Sequence, residues 1–284
     1  DFDAVLDHAN LRALGFTDAP GYNALSMAIQ ADGRLSPDSL LGDLHVQGIS
    51  YCQGIEEFDL GDMNLSSDRR DGKNILELDA SFAEAKVIGE FLPTTLPDAL
   101  AHIVYSVFPS ASAAVRYDHD PQDFTFEVTT REMAPVFALF LPDAEIAPGS
   151  KVTGSFDTRS FDMGLTFFAP RAKYGSVLMD SLDVMADKTL DLLALSIRST
   201  RQSIHDSIWF GGTAITGKAY QDELDLDVGW RTSNSGAHGD LEILGEVRGL
   251  NAVTLELLPS ELYFSRGTWK NAHSSRITID STTV

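Results

Sequence analysis

The sequence lacks most of the residue patterns that identify an enzyme. It contains one cysteine, Cys52, so no intrachain disulfide can form and cysteine usage does not reveal the redox compartment. Its seven histidines are scattered, with neither an HExxH motif nor paired CxxC motifs. It also has no GxSxG elbow, no P-loop and no GxGxxG turn after a strand. We therefore expect no metal site, no cofactor and no catalytic residue.

Positive charge and long apolar runs are also scarce. The chain has 21 Lys plus Arg against 42 Asp plus Glu, a formal charge of -21. Such a surplus repels phosphate backbones and anionic membrane surfaces, so a nucleic-acid partner is not expected. The longest nearly uncharged run, residues 101–115, is interrupted by Pro109 and is too short for a bilayer span. No segment of the sequence is predicted to cross a membrane as a helix.

What the sequence does contain is alternation of apolar and polar residues, clearest over residues 221–284. Leu224, Leu226, Val228 and Trp230 fall on every second position, and the acidic residues Glu223, Asp225 and Asp227 alternate with the first three. The same period of two recurs in four more groups: Leu241, Ile243 and Val247; Val253, Leu255 and Leu257; Leu262 and Phe264; and Ile277 and Ile279. Because successive side chains of a strand point to opposite faces, this pattern predicts an antiparallel sheet with one apolar and one acidic face.

The remaining segments predict one continuous sheet body with two helical interruptions. Residues 24–94 have the texture of a strand meander, whereas residues 1–20 suggest a short helical or irregular piece. Apolar residues at helical spacing predict helices over Pro97–Val107 and over Met133–Leu141. The long interval from Pro170 to Pro259 contains no other proline, as expected for central strands. We divide the chain into a β segment at 1–94, a helix-strand-helix interruption at 95–142 and a long β segment at 143–284.

Several segments, taken in order, resemble the TamB family of Bacteroidetes, within the AsmA-like superfamily. They are LLGDLHVQGISY, ILELDASFAEAKVIGEF, LPDALAHIVYSVFPS, FALFLPDAEIAPGSKVTGSFD and LLPSELYFSRGTWKNAHSSRITIDS. The resemblance extends over about residues 24–284 and depends on the order of the segments, since no single motif is diagnostic. It implies a mostly β fold, in which an elongated antiparallel sheet curls into an open, β-taco-like trough with an apolar lining.

The resemblance also implies a function without catalysis. Proteins of this family are associated with phospholipid movement between the inner and outer membranes and with outer-membrane protein assembly. The chain would then be an internal or C-terminal segment of a longer periplasmic protein of a Gram-negative, Bacteroidetes-like bacterium. We would expect an inner-membrane anchor upstream, phospholipid acyl chains as ligands, and an outer-membrane partner of the TamA or Omp85 type.

The parity of the alternating strands predicts which residues line the trough. They are Leu193, Leu195, Ile197, Leu224, Leu226, Val228, Trp230, Leu255, Leu257, Ile277 and Ile279. Glycine bulges could reverse any one strand. Two alternatives stay open: a closed β-sandwich or barrel that serves as a binding or structural module of the cell envelope, and a hydrolase that uses two carboxylates in a cleft.

Overall fold

A computed structural model describes residues 1–11, 13, 23–36, 39–92, 95–111, 120–205, 208–232, 236–249, 252–264 and 267–280. These residues form mostly antiparallel β structure, as an open sheet that does not close on itself, with two short α-helices. The predicted fold class, mostly β with an open antiparallel sheet and two short helices, is therefore confirmed. Curling of the sheet into a trough stays a prediction.

The described elements of the first part of the chain are strands: β1 Phe2–Asn10, β2 Asn23–Ser36, β3 Ser39–Gln53, β4 Glu56–Arg70, β5 Lys73–Ala80 and β6 Ala83–Glu90. Both helices lie in the middle part: α1 Leu96–Val107, a 3-10 turn at Pro109–Ala111, β7 Asp123–Thr130, α2 Ala134–Phe140, β8 Ala144–Ile146 and β9 Lys151–Asp157. The third part returns to strands: β10 Asp162–Tyr174, β11 Val177–Thr189, β12 Leu192–Ser199, β13 Arg201–Ile204, β14 Ile208–Phe210, β15 Thr213–Tyr220, β16 Glu223–Arg231, β17 His238–Val247, β18 Ala252–Leu257, β19 Ser260–Phe264, β20 Gly267–Asn271 and β21 Ser275–Asp280.

The chain divides into two units, neither of which is continuous in sequence. The first unit contains residues 1–90, 124–152 and 173–175, and the second contains residues 91–123, 153–172 and 176–284. The helix α2 belongs to the first unit, whereas α1 belongs to the second.

The first unit is built on a six-strand meander, β1 to β6, in which each strand pairs with its neighbours along the chain through five antiparallel pairings. Its register shifts between Val46 and Ile49, where Gly48 adopts a positive φ of 60°. Such bulges change which face the following side chains occupy. The side chain of Arg131 secures the β5–β6 hairpin by donating to Asp79 Oδ1 and to the Ala80 carbonyl, at 2.6 and 2.7 Å.

The expectation of a helical or irregular piece at the start of the chain is wrong for Phe2–Asn10, which form the strand β1. This segment pairs antiparallel with β2 from Phe2 opposite Ala31 to Asn10 opposite Ala24. A register shift lies between Leu6 and Ala9. Pairing with a neighbouring strand supplies backbone hydrogen bonds that the local sequence pattern does not reveal, which is why tertiary context overrode the weak helical spacing.

The second unit contains a sheet whose consecutive pairings run from β13 through β11, β12, β15, β16, β17 and β18 to β21. The registers from β12 to β21 contain no shift, so each strand keeps the parity of its neighbour across the whole series. Strands β11 to β18 fall in the interval without proline, where no backbone N–H of the ladder is missing.

The helix α1 is anchored at one end of this sheet by its last residue, Val107, and by Ser110 of the 3-10 turn that follows it. The Val107 carbonyl accepts a hydrogen bond from the backbone N–H of Asp222, which lies in the β15–β16 turn, at 3.1 Å. The Ser110 hydroxyl donates to the Val247 carbonyl at 2.8 Å and accepts from the N–H of Gly249 at 3.1 Å. These bonds satisfy groups at the helix end and place that end beside the turns of the sheet.

We predict that Ser110→Ala lowers the free energy of unfolding by about 1 kcal/mol, because it removes both hydrogen bonds of the hydroxyl. Urea denaturation measures the change. Ser106→Ala is the matched control, since the Ser106 hydroxyl donates only within its own helix, to the Ile103 carbonyl. Equal stability of the two variants would contradict the assigned role of Ser110.

Candidate functional site

The candidate site is one face of the second unit's sheet, called here the apolar face. Residues that lie directly opposite each other on antiparallel strands point to the same face. The registers connect the predicted lining residues in four rows: Leu193, Ala219, Leu224, Gly245, Leu255 and Ile277; Leu195, Gly217, Leu226, Ile243 and Leu257; Ile197, Ile215, Val228 and Leu241; and Ser199, Thr213, Trp230, Gly239 and Leu262. Ile279 lies opposite Val253, two residues from Leu255. The structure thus brings all eleven residues to one face.

Glycines on the apolar face provide the space into which its largest side chains fold. A Cβ at Gly239 would collide with the Trp230 ring, and a Cβ at Gly217 would collide with a methyl group of Leu226. At Gly245 it would lie 2.9 Å from Cβ of Leu224. Each glycine lies directly opposite the bulky residue that occupies its space. Large and small residues therefore alternate across the strands, and the side chains lie over the sheet instead of standing away from it.

None of the eleven predicted lining residues is fully buried. The side chains of nine are half-buried, whereas Ile277 and Ile279 at the end of the series are 58% and 54% exposed. Side chains that pack against a second protein layer are commonly removed from solvent almost completely. The apolar face therefore retains apolar surface that a ligand could cover.

The opposite face carries charge and is called here the polar face. Asp225 lies opposite Lys218 on one side and Leu244 on the other, and Glu256 lies opposite Arg276. Arg276 approaches Glu256 to 2.9 Å, and its hydrogen bond lowers the pKa of that carboxyl. The two faces of the same strands thus differ sharply in chemistry, as the alternation predicted.

Lys188 is a site residue that the alternation missed. It lies opposite Leu193 on the apolar face, and its side chain is only 1% exposed. Its ammonium group donates to the carbonyl of Phe161 at 2.7 Å and to the carbonyl of Leu190. Burial lowers the pKa of Lys188, and the charges of Asp191 and Asp162 only partly oppose that effect. At β11 the apolar face therefore ends at a buried lysine, whose ammonium group joins the backbone at Phe161 to the backbone at Leu190.

A second polar feature lies at the Trp230 end of the apolar face. Thr213 and Trp230 are directly opposite each other, and the Thr213 hydroxyl and the Trp230 indole N–H are both buried. Within the described ranges, neither atom has a hydrogen-bond partner. Buried polar atoms without hydrogen-bond partners are uncommon and reduce stability. The Thr213–Trp230 end of the apolar face therefore contains a donor and a hydroxyl whose hydrogen-bonding capacity is not used.

The hydrolase alternative requires two carboxyl groups with different roles, one of them a general acid. A carboxylic general acid requires a raised pKa. The four described carboxyl groups whose pKa is displaced, Asp68, Glu246, Glu256 and Glu261, all have lowered values, chiefly because a neighbouring Arg or Lys side chain donates a hydrogen bond to each. Among the described residues, no group of three or more His, Cys, Asp or Glu is arranged to hold a metal ion. In the same residues no helix has the length and hydropathy needed to span a bilayer.

We predict that Gly239→Ala destabilises the chain by about 1–3 kcal/mol, because the rigid Trp230 ring must move to admit a methyl group. Chemical denaturation measures stability, and tryptophan fluorescence reports the altered environment of the ring. Gly212→Ala is the control, since a Cβ there would approach only the Ser199 carbonyl oxygen, at 3.8 Å. Comparable losses in the two variants would show that the Trp230 ring does not fill the space above Gly239.

The buried lysine predicts a dependence of stability on pH. Because the pKa of Lys188 is lowered in the folded state, the unfolded chain binds this proton more tightly. The stability of the wild type relative to Lys188→Met should therefore increase as pH rises from the folded pKa toward the ordinary value of 10.5.

Urea titrations between neutral pH and about pH 10 test this sign, since that interval approaches the ordinary lysine pKa. Lys218→Met removes an exposed lysine from the polar face and controls for the loss of one positive charge. A wild-type advantage over Lys188→Met that stays constant or shrinks with rising pH would contradict the prediction.

Comparisons with protein-family models, with curated proteins and with solved structures find no match for this chain. Membership of the TamB family therefore stays a prediction. The function must be inferred from the sequence pattern and from the geometry of the apolar face.

Proposed function

We propose that the chain is a non-enzymatic segment of a TamB-like protein whose apolar face binds phospholipid acyl chains and conducts them between the inner and outer membranes. In this proposal the chain belongs to a longer protein in the periplasm of a Gram-negative bacterium. An inner-membrane anchor lies upstream, and an outer-membrane protein of the TamA or Omp85 type is the partner. Support of outer-membrane protein assembly by the same surface is part of the proposal.

The observation that carries the proposal is the shared face of the eleven alternating residues, none of which is fully buried. Acyl chains have no hydrogen-bonding groups, so a surface that conducts them needs continuous apolar side chains and few polar ones. The rows from Leu193 to Ile277 and from Leu195 to Leu257 supply such continuity across six and five strands.

The acidic polar face fits the same role. A contiguous apolar surface favours association between proteins, whereas net charge of one sign opposes it. Asp225, Asp227 and Glu242 carry negative charge on the face opposite Leu226 and Val228. The two faces of one sheet can therefore bind lipid and remain dispersed in water.

We predict that Leu226→Asp and Leu257→Asp each reduce cross-linking to a photoactivatable phospholipid about tenfold or more. A carboxylate on this face must lose hydration when acyl chains cover it, and a penalty of about 1.4 kcal/mol already corresponds to a tenfold change in affinity. The yield of cross-linked lipid per folded chain is measured, and circular dichroism verifies that each variant retains its β structure.

Leu244→Asp is the matched control for this experiment. Leu244 lies next to Ile243 in the same strand but on the polar face, and it is 41% exposed. The identical substitution there should leave the cross-linking yield close to that of the wild type. If folded Leu226→Asp and Leu244→Asp bind lipid equally well, the apolar face is not the lipid site. The alternative function, a binding or structural module of the cell envelope without lipid transport, is then favoured.

A further inference from the structure

A cleft at one end of the second unit's sheet concentrates positive charge in an otherwise acidic chain. It has a volume of about 1470 Å³ and is lined by Arg198, Arg201 and Arg231 among other residues. The whole chain has only 21 Lys plus Arg and a formal charge of -21, so three arginines in one cleft stand out from the average surface. Two carboxylates, Asp183 and Asp240, also line it, which leaves the arginines in excess by one.

One row of the polar face lines part of the cleft. It reads Asp183, Arg198, Ala214, Gly229 and Asp240 across the sheet. The small residues Ala214 and Gly229 separate Arg198 from Asp240 in this row. A Cβ at Gly229 would lie 3.0 Å from Oδ1 of Asp240, so the Asp240 carboxylate lies over this glycine, on the far side of the row from Arg198.

The wall of the cleft orients one of its arginines. The guanidinium carbon of Arg201 lies 3.7 Å from the centroid of the Trp209 ring, on the face of that ring. Trp209 is 41% exposed, so the stacked pair borders solvent. Stacking fixes the plane of a guanidinium group while its N–H donors remain directed outward along its edge, which suits the bidentate recognition of an oxyanion.

None of the ion pairs formed by the described residues includes Arg198, Arg201 or Arg231. By contrast, Arg276 in β21 and Arg248, which follows β17, are paired with Glu256 and Glu246 at 2.9 and 2.7 Å. The guanidinium N–H donors of the cleft arginines are therefore available to a ligand, whereas those of Arg248 and Arg276 already bind carboxylates.

We propose that this cleft binds a phosphate group, held by Arg201 and Arg198 beside the Trp209 ring. Phosphate offers the paired oxygens that a fixed guanidinium plane matches, and the aromatic ring accommodates an apolar group attached to it. The phosphate has two possible sources, free phosphate and the headgroup of a phospholipid. The cleft lies at the end of the sheet, where residues of both faces border it. Its arginines are not among the eleven residues of the apolar face, so the two sites can be tested separately.

The test uses the whole 284-residue chain, with inorganic phosphate and soluble dihexanoyl phosphatidylglycerol as two separate probes in isothermal titration calorimetry. Arg201→Gln should weaken binding of the responding probe about tenfold or more, since it removes charge-assisted hydrogen bonds. Trp209→Leu should weaken it less, because the guanidinium keeps its charge but loses its fixed plane. Arg69→Gln removes an exposed arginine far away in sequence, in the β4–β5 hairpin, and should leave binding unchanged.

The outcomes separate the two sources and the two sites. Binding of both probes that depends on Arg201 supports the proposal with phosphate alone sufficient, and binding of the lipid alone that depends on Arg201 supports the headgroup as the source. Binding of neither probe, or equal binding by Arg201→Gln and Arg69→Gln, overturns it. Lipid binding that is lost in Leu226→Asp and retained in Arg201→Gln also overturns it, while leaving the proposed role of the apolar face intact.

Discussion

The candidate site depends on an unbroken strand register in the second unit. From β12 to β21 each residue meets its partner without a shift, so a period of two in the sequence becomes one face in space. A single extra residue in β16 would move Leu226 and Trp230 to the acidic side. The first unit contains such register shifts, near Gly48 in β3 and in β1. There, the spacing of apolar residues in the sequence does not by itself reveal which face of the sheet each side chain occupies.

This register explains why the second unit combines two chemistries. The apolar face is continuous because Gly217, Gly239 and Gly245 admit the larger residues opposite them. The polar face of the same strands carries the ion pairs, and the arginine cleft lies at the end of the sheet. A sheet of this kind can offer a surface to acyl chains along one face and a site for a charged group at its end. We consider lipid binding by the apolar face the function that this arrangement supports best.

The sequence was a good guide wherever the structure depends on short-range periodicity. Helical spacing located both helices to within a few residues, at Leu96–Val107 and Ala134–Phe140. It failed at Phe2–Asn10, where the partner strand β2 decides the conformation, and it did not find Lys188 on the apolar face. The sequence does not show that Lys188 lies on the apolar face, because its burial depends on the carbonyls of Phe161 and Leu190, which accept hydrogen bonds from its ammonium group.

The alternation, the charge and most of the strand-forming segments can be predicted from the sequence, because they follow from the chemistry of neighbouring residues. The tertiary structure, by contrast, sets which strands pair and in which register. It therefore places Leu193 and Ile277 in the same row although they lie far apart along the chain. It also decided that Arg198, Arg201, Trp209 and Arg231 share one cleft. Contacts of this kind join segments that are distant in sequence, and the pattern of neighbouring residues does not predict which distant segments come into contact.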